Sequence, residues 1–297
     1  MINPHPGLPE FDYVRFTSLS DASRFLAEHA GEARPFSGGT DTFIRMRDGL
    51  WKDKYLVDVK PLTETQAFSF DPEKGLFIGA AVTMNRIISH PEIQRTYPAL
   101  VEAAHTVASY QLRNRATVVG NICNASPAGD TIGACLVYQG TLHIHGVDGL
   151  RIEPLAGFFK GPGKSTLKPG DIVTGVDLPL PDKDHAGRYL KVNRNLVGDL
   201  AIVGVTVLGY PDPSTKSGSR FRIVLSSVAP TPQIPTAAET IMADHPITDD
   251  TITQAAQAAM DACTPIDDVR GTARYRKYMV RNMTRQAVSD VWSRIRA

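Results

Sequence analysis

Cysteine is scarce in this chain. Among 297 residues the only thiols are Cys123, Cys135 and Cys263. Three dispersed cysteines build neither a disulfide framework nor a CxxC metal site. They also fall short of the four that an iron–sulfur cluster held within one chain needs. A reducing, cytoplasmic setting is the default expectation. No run of about 18 apolar residues occurs, so no membrane span is expected. The opening stretch, MINPHPGLPEFD, lacks the charged and apolar regions of a secretory signal. An excess of either charge is missing too. Lys plus Arg total 32 against 31 Asp plus Glu, a formal charge of +1. That balance argues against a dedicated nucleic-acid binder. The glycine fingerprint GxGxxG of a Rossmann unit is absent. The stretch Gly161-Pro162-Gly163-Lys164-Ser165-Thr166 falls short of a phosphate-binding P-loop, because Phe158 stands where that motif needs its first glycine. It reads as a surface loop before a strand.

What remains is ordinary globular material, 42% hydrophobic and 21% charged. The length suits two or three compact units. In residues 17–30, Ser18 and Asp21 resemble a capping box, and Leu19, Ala22 and Leu26 make an apolar stripe. Strands are expected at residues 55–59, 75–80, 141–146 and 171–178, and helices at 83–90 and 98–109. A third region carries strand patterns at 189–193, 201–210 and 221–229, followed by three helical segments from about residue 236. Mixed elements, then strands, then helices favour an α+β protein of several subdomains over one doubly wound sheet.

Two small-residue segments stand out. Ser37-Gly38-Gly39-Thr40-Asp41 exposes backbone N–H groups ahead of a short helix, and glycine lets a ligand approach without a Cβ in the way. Thr117-Val118-Val119-Gly120-Asn121 opens a glycine- and alanine-rich stretch, residues 116–136. Each segment alone is equally well a turn or a tightly packed bend. Together they could provide the extended bed that a dinucleotide's pyrophosphate requires.

RPFSGGTDTFIRMRDG (residues 34–49) with RNRATVVGNICNASPAGDT resembles the flavin (medium) subunit of molybdenum hydroxylases of the carbon monoxide dehydrogenase and xanthine dehydrogenase type. The resemblance extends through YLKVNRNLVGDLAIVGV (residues 189–205) and covers nearly the whole chain. It implies a two-subdomain FAD-binding fold of the vanillyl-alcohol-oxidase type, residues 1–60 and 61–182, and a C-terminal α+β domain, residues 183–297. It implies that Ser37, Gly38, Gly39, Thr40 and Asp41 hold the FAD pyrophosphate from one side. Thr117, Val118, Val119, Gly120 and Asn121 would hold it from the other. Asp130 matches an acid contacting the adenosine or ribityl region, and Lys191 a lysine near the flavin ring. The family's usual second loop, TIGG, departs here at Val119, whose branched side chain narrows the backbone's freedom. No four-cysteine insertion is present, so flavin alone is expected as cofactor, with neither a catalytic residue nor a metal site of the chain's own.

The implied function is electron transfer within a complex. Partners would be a molybdopterin-binding large subunit and a [2Fe–2S] small subunit, assembled as a dimer of heterotrimers. A self-contained FAD-dependent reductase or oxidase is the alternative. Several residues have plainer readings. Lys191 also suits a solvated strand edge, and Asp41 the start of a helix. Arg113 and Arg115 suit solvated or subunit-facing positions. His143 and His145 read as an ordinary strand pair, sharing a face without a third ligand. Cys123 and Cys135 read as small buried thiols. The basic row Arg274, Arg276, Lys277, Arg281 and Arg285 reads as a solvated helix face or a partner surface.

Overall fold

A computed structural model describes residues 7–195 and 198–296. Half of the opening stretch, and residues 196 and 197 of the segment 189–205, lie outside the described residues.

The first unit contains β1 (Asp12–Arg15), α1 (Leu19–Glu28), β2 (Ala33–Phe36), α2 (Thr42–Arg47) and β3 (Tyr55–Asp58). Helix α1 begins where the sequence places it. The Ser18 hydroxyl accepts from the Asp21 amide at 3.2 Å and donates to the Asp21 carboxylate at 2.8 Å. Its buried stripe of Leu19, Ala22 and Leu26 packs on Val57 and Val59. The three strands are parallel, in the order β1-β3-β2. Strand β2 is therefore an edge. The Tyr55 amide donates to Glu32 O, and the Val59 amide to Phe36 O, both at 3.0 Å. Residues 32, 34 and 36 thus face β3, and Ala33 and Pro35 turn their backbone groups to the open side. Proline suits such an edge, where no ladder partner wants its missing N–H.

The second unit holds α3 (Thr63–Gln66), β4 (Phe68–Asp71), β5 (Gly75–Gly79), α4 (Met84–Ile88), α5 (Pro91–Thr96), α6 (Pro98–His105), α7 (Tyr110–Arg113), α8 (Val118–Asn124) and α9 (Asp130–Val137). It continues with β6 (Thr141–Gly146), β7 (Gly149–Pro154), β8 (Phe159–Gly161), β9 (Lys164–Ser165) and β10 (Ile172–Pro179). An antiparallel sheet runs β4-β5-β10-β6-β7. Leu76, Ile78, Leu142, Ile144, Val176 and Leu178 share one buried cluster with helical Leu100 and Ile122. Alternation along β6 puts Leu142 and Ile144 in this core and His143 and His145 on the other face.

The third unit is a meander, β11 (Ala186–Val192), β12 (Val203–Pro211) and β13 (Ser219–Ser226), covered by α10 (Thr236–Asp244), α11 (Asp249–Asp261) and α12 (Ala273–Ile295). Val203, Val205, Val207, Ile223 and Leu225 meet Ala255, Ala259, Val280, Ala287 and Val291 in its core. This architecture is the expected α+β one, a two-part α/β portion followed by sheet plus helices.

Three local expectations need correcting. Residues 117–121 do not form a loop. Thr117 is the N-cap of α8, its hydroxyl accepting from the Gly120 amide at 2.9 Å, and Val118 onward is helical. Residues 159–170 are not a plain loop. They include the β8–β9 hairpin, docked by the Gly163 amide on Ala125 O at 2.9 Å. Arg276 is not on a solvated face. It is 3% exposed, and its guanidinium donates to Ile202 O, Ser227 O and Asp268.

Candidate functional site

A cleft of about 330 Å³ opens between the first two units. Most of its walls come from three stretches far apart in sequence, residues 33–42, 116–124 and 167–173, with single residues such as Trp51 and Val107 completing them. The β2–α2 turn supplies Ser37, Gly38, Gly39, Thr40 and Asp41. The start of α8 supplies Thr117, Val119, Gly120 and Asn121. The structure thus brings both small-residue segments to one cavity. Val118 is the exception, fully buried in the core behind it.

The two glycines of the first turn have separate physical reasons. A Cβ on Gly38 would stand 2.9 Å from the Arg115 carbonyl carbon and 3.3 Å from the Ala116 Cα, with the Arg115 oxygen closer still. Glycine here lets the two segments touch backbone to backbone. Gly39 has φ +73°, a left-handed conformation that side chains resist. Ser37 ties the turn across the cleft through a 2.9 Å bond to Ala80 O.

The turn's amides are free to bind a ligand. Among the described residues, nothing accepts from the backbone N–H groups of Gly38, Gly39, Thr40 or Asp41. At α8, Val118 and Val119 occupy the first helical turn, whose amides have no carbonyl partner within the helix. Val119 is 2% exposed, with its side chain part of the cleft wall. Nearby, Asn124 Oδ1 is buried without a partner. Unbonded amide donors and one unsatisfied acceptor among the residues of a single cleft fit a diphosphate with an adjoining hydroxyl. Asn121 holds α8 to α9, its oxygen accepting from the Thr131 hydroxyl at 2.8 Å. Asp41 starts α2 without capping it. Cleft solvent reaches its carboxylate, yet the surrounding protein pushes its pKa up, against the pull of Arg45 and a hydrogen bond from Asn124.

Asp130 and Lys191 meet each other rather than the cleft lining. Lys191 Nζ donates to Asp130 Oδ2 at 2.9 Å and to Thr106 O at 3.2 Å. The Tyr189 hydroxyl donates to Asp130 Oδ1 at 2.6 Å. The side chains of the ion pair are 4% and 8% exposed. Burial pushes the Asp130 carboxyl up, although Lys191 and Tyr189 oppose it. Both Asp130 oxygens are therefore engaged within the protein. Thr106 precedes Val107, a cleft residue, so the lysine head sits one residue behind the wall.

Other wall residues carried no signal in the sequence. The Arg34 guanidinium lies 3.6 Å from the Trp51 ring centroid, and Arg45 lies 4.7 Å from the same centroid. Arg34 is held by Asp53 at 2.8 Å. Residues 167–173 close the opposite wall. Of the flanking arginines, Arg113 turns inward to cap His105 O, Val107 O and Ala108 O, and Arg115 is exposed. His143 pairs with Asp177, and the described residues contain no cluster of three potential metal ligands. All three cysteines are free.

Comparison with known proteins follows these features closely. A family described as the FAD binding domain in molybdopterin dehydrogenase matches residues 9–181. A second, the CO dehydrogenase flavoprotein C-terminal domain, matches residues 188–291. The chain is 30% identical to the putative xanthine dehydrogenase FAD-binding subunit of Escherichia coli K12 over 279 residues, covering 94% of each chain. It is 28% identical to the carbon monoxide dehydrogenase medium chain of Hydrogenophaga pseudoflava over 288 residues, covering 96% of this chain and 98% of that one. The solved carbon monoxide dehydrogenase from Hydrogenophaga pseudoflava superposes with a TM-score of 0.91 at 29% identity, over 96% and 98% of the two chains.

Proposed function

Since the chain belongs to the FAD-binding subunits of the molybdopterin dehydrogenases, oxidoreductases that use FAD, we propose that it is the electron-transferring flavoprotein of a molybdenum hydroxylase complex. Its partners are a molybdopterin-binding large subunit and a [2Fe–2S] small subunit, in a cytoplasmic dimer of heterotrimers. Bound FAD supplies the redox chemistry, taking electrons from the partner's clusters and releasing them to an external acceptor. The chain's own residues position and insulate. Unbonded amides of Gly38 to Asp41, with those opening α8, cradle the diphosphate. Asp41 and Asn124 take neighbouring hydroxyls. Lys191 has one N–H left after bonding Asp130 and Thr106, and would lend it and its charge to the flavin ring when FAD is bound. Asp130 fixes the direction of that lysine. We divide the chain at residues 60 and 182, a division supported by sheets confined to residues 12–58, 68–179 and 186–226.

The observation that carries this reading is the pair of segments packed at Gly38 and Arg115, with the unbonded amides of residues 38–41 on residues that line the cleft. The cleft also lacks a histidine–tyrosine–thiol set of the kind a self-contained reductase would use, which weighs against that reading. No histidine or tyrosine lines it among the described residues, and burial pushes its one thiol, Cys123, up to about 12. The test is the visible spectrum of the purified complex with metal analysis. Flavin and iron–sulfur absorbance together with molybdenum are expected, and flavin absorbance alone from this chain. Substrate-driven bleaching of the flavin in the isolated chain would refute the assignment.

A further inference from the structure

Strand β11 is the edge of its sheet, paired with β12 on one side and lying against α6 on the other. Strand and helix keep step, since two strand residues advance about 6.7 Å and four helix residues about 6 Å. Gly187 meets Ala99, where a Cβ on the glycine would stand 3.1 Å from the alanine Cβ. Two residues on, the Tyr189 amide donates to Glu102 Oε2 at 2.7 Å. Two further on, Lys191 Nζ donates to Thr106 O at 3.2 Å. Among the described residues, the Tyr189 amide makes the one hydrogen bond from the backbone of β11 to the second unit. Tyr189 is 3% exposed, so this edge amide would be buried and unpaired without that acceptor. The carboxylate is itself held in place. Its other oxygen accepts from Arg188 Nη1 at 2.9 Å, and Arg188 Nε donates to Asp290 of α12 at 3.1 Å.

We infer that Glu102 is the positioning residue for Lys191, pinning β11 on α6 at the register that brings the lysine to Asp130. The inference rests on the reading of Lys191 as the cation beside the flavin, and deepens it. Side chains two apart on a strand share a face, so the bond at Tyr189 fixes the height at which both Tyr189 and Lys191 meet Asp130. The lysine's 3.2 Å bond to Thr106 O leaves little length to spare. Glu102 is not among the residues lining the cleft, so it acts through the strand. Its charge and its reach have opposite consequences for the cofactor. Removing a negative charge raises a flavin's reduction potential, whereas misplacing a neighbouring cation lowers it.

The test is the reduction potential of the FAD-loaded full-length chain, read by spectroelectrochemical titration in two variants. Glu102→Asp keeps the charge but falls one methylene, about 1.5 Å, short of the Tyr189 amide. Glu102→Gln keeps the reach and an acceptor oxygen but loses the charge. Glu102→Asp is expected to lower the potential, in the direction of Lys191→Met and by less. Glu102→Gln is expected to leave it at or above the wild-type value. Glu102→Asp/Lys191→Met is expected to match Lys191→Met alone, because the pin acts only through the lysine. A merely structural role lowers stability and leaves the potential unmoved in Glu102→Asp, and that result overturns the inference. So does a potential lowered by Glu102→Gln, or a double variant whose effects add. An unchanged potential in Lys191→Met removes the lysine's role first, and the inference with it. Circular dichroism and FAD content check each fold. If Glu102→Asp does not fold, Glu102→Gln decides alone: a lowered potential overturns the inference and an unlowered one upholds it.

Discussion

Replacing Gly38 by alanine puts one methyl group into the tightest approach in the cleft. The intruding carbon meets the backbone of Arg115 and Ala116, with the Arg115 carbonyl carbon at 2.9 Å, so no side chain can swing aside. Gly38 has no positive φ, so the effect is steric alone. Forcing an extra methyl into packed backbone costs about 1–3 kcal/mol. For a unit of this size each kcal/mol lowers Tm by about 2–4 °C, so a loss of about 2–12 °C is expected of the flavin-free protein. The same displacement parts the two amide rows, and FAD affinity is expected to fall about tenfold, or about 1.4 kcal/mol. Thermal unfolding followed by circular dichroism reads the first effect, and fluorescence titration with FAD reads the second. Gly49→Ala is the control. Gly49 has φ +69° with nothing within 4 Å of its Cβ position. It is expected to lose about 1–2 kcal/mol of stability and leave FAD affinity untouched. A Gly38→Ala protein with wild-type Tm and wild-type affinity would refute the close packing of the two segments. Equal affinity losses in both variants would refute its link to the cofactor.

If Lys191 stands beside the flavin as proposed, Lys191→Met is expected to lower the flavin's reduction potential, because a cation that favours an anionic reduced flavin is removed. It also strands Asp130, so Lys191→Met/Asp130→Leu should regain stability in urea unfolding without regaining the potential. An unchanged potential would dismiss the lysine's role. Asp41 tests linkage: its folded pKa is raised, so the folded state keeps its proton to higher pH than the unfolded chain. That contribution destabilises the flavin-free protein as pH rises from the ordinary carboxylate value through the raised one. Asp41→Asn should therefore match wild type at acid pH, where the carboxyl is protonated in both states, and melt increasingly higher as pH rises through the raised value, and a constant difference throughout would contradict the sign. Arg276→Met leaves two buried backbone carbonyls without donors and takes from Asp268 one of its two arginine partners, for a loss of about 2–3 kcal/mol in denaturant unfolding. A loss under about 0.5 kcal/mol would place Arg276 among surface arginines after all.

Elements with a strong local signature stood in the sequence already. Ser18 with Asp21 marks the start of α1, and the alternation of His143 and His145 with Leu142 and Ile144 marks β6. The short parallel strands β1 and β2 did not, being four residues each, with Pro35 inside β2. Helix α8 was concealed by its composition. Gly120 and Asn121 signal a turn, whereas the buried pair Val118 and Ile122, one helical turn apart, decides for helix once a core exists. At the site, the two glycine segments were visible because glycine is locally distinctive. The reason for Gly38 was not, since its neighbour is the backbone 77 residues further on. The partnership of Asp130 and Lys191 spans 61 residues and depends on β11 packing against α6 while α9 packs against its sheet neighbours β12 and β13. Arg34 and Trp51 become cleft residues only through the stacking of their side chains.

The three-segment construction of the cleft makes the cofactor a load on the folding equilibrium as well as a redox group. A ligand that grips only the assembled walls, present at a hundred times its Kd, adds about 2.7 kcal/mol to the folded state. Chains synthesised while flavin is short would lack that reinforcement where residues 33–42, 116–124 and 167–173 meet. Proteolysis would then sort loaded from empty copies before any partner engaged them, and riboflavin supply would set the abundance of the subunit.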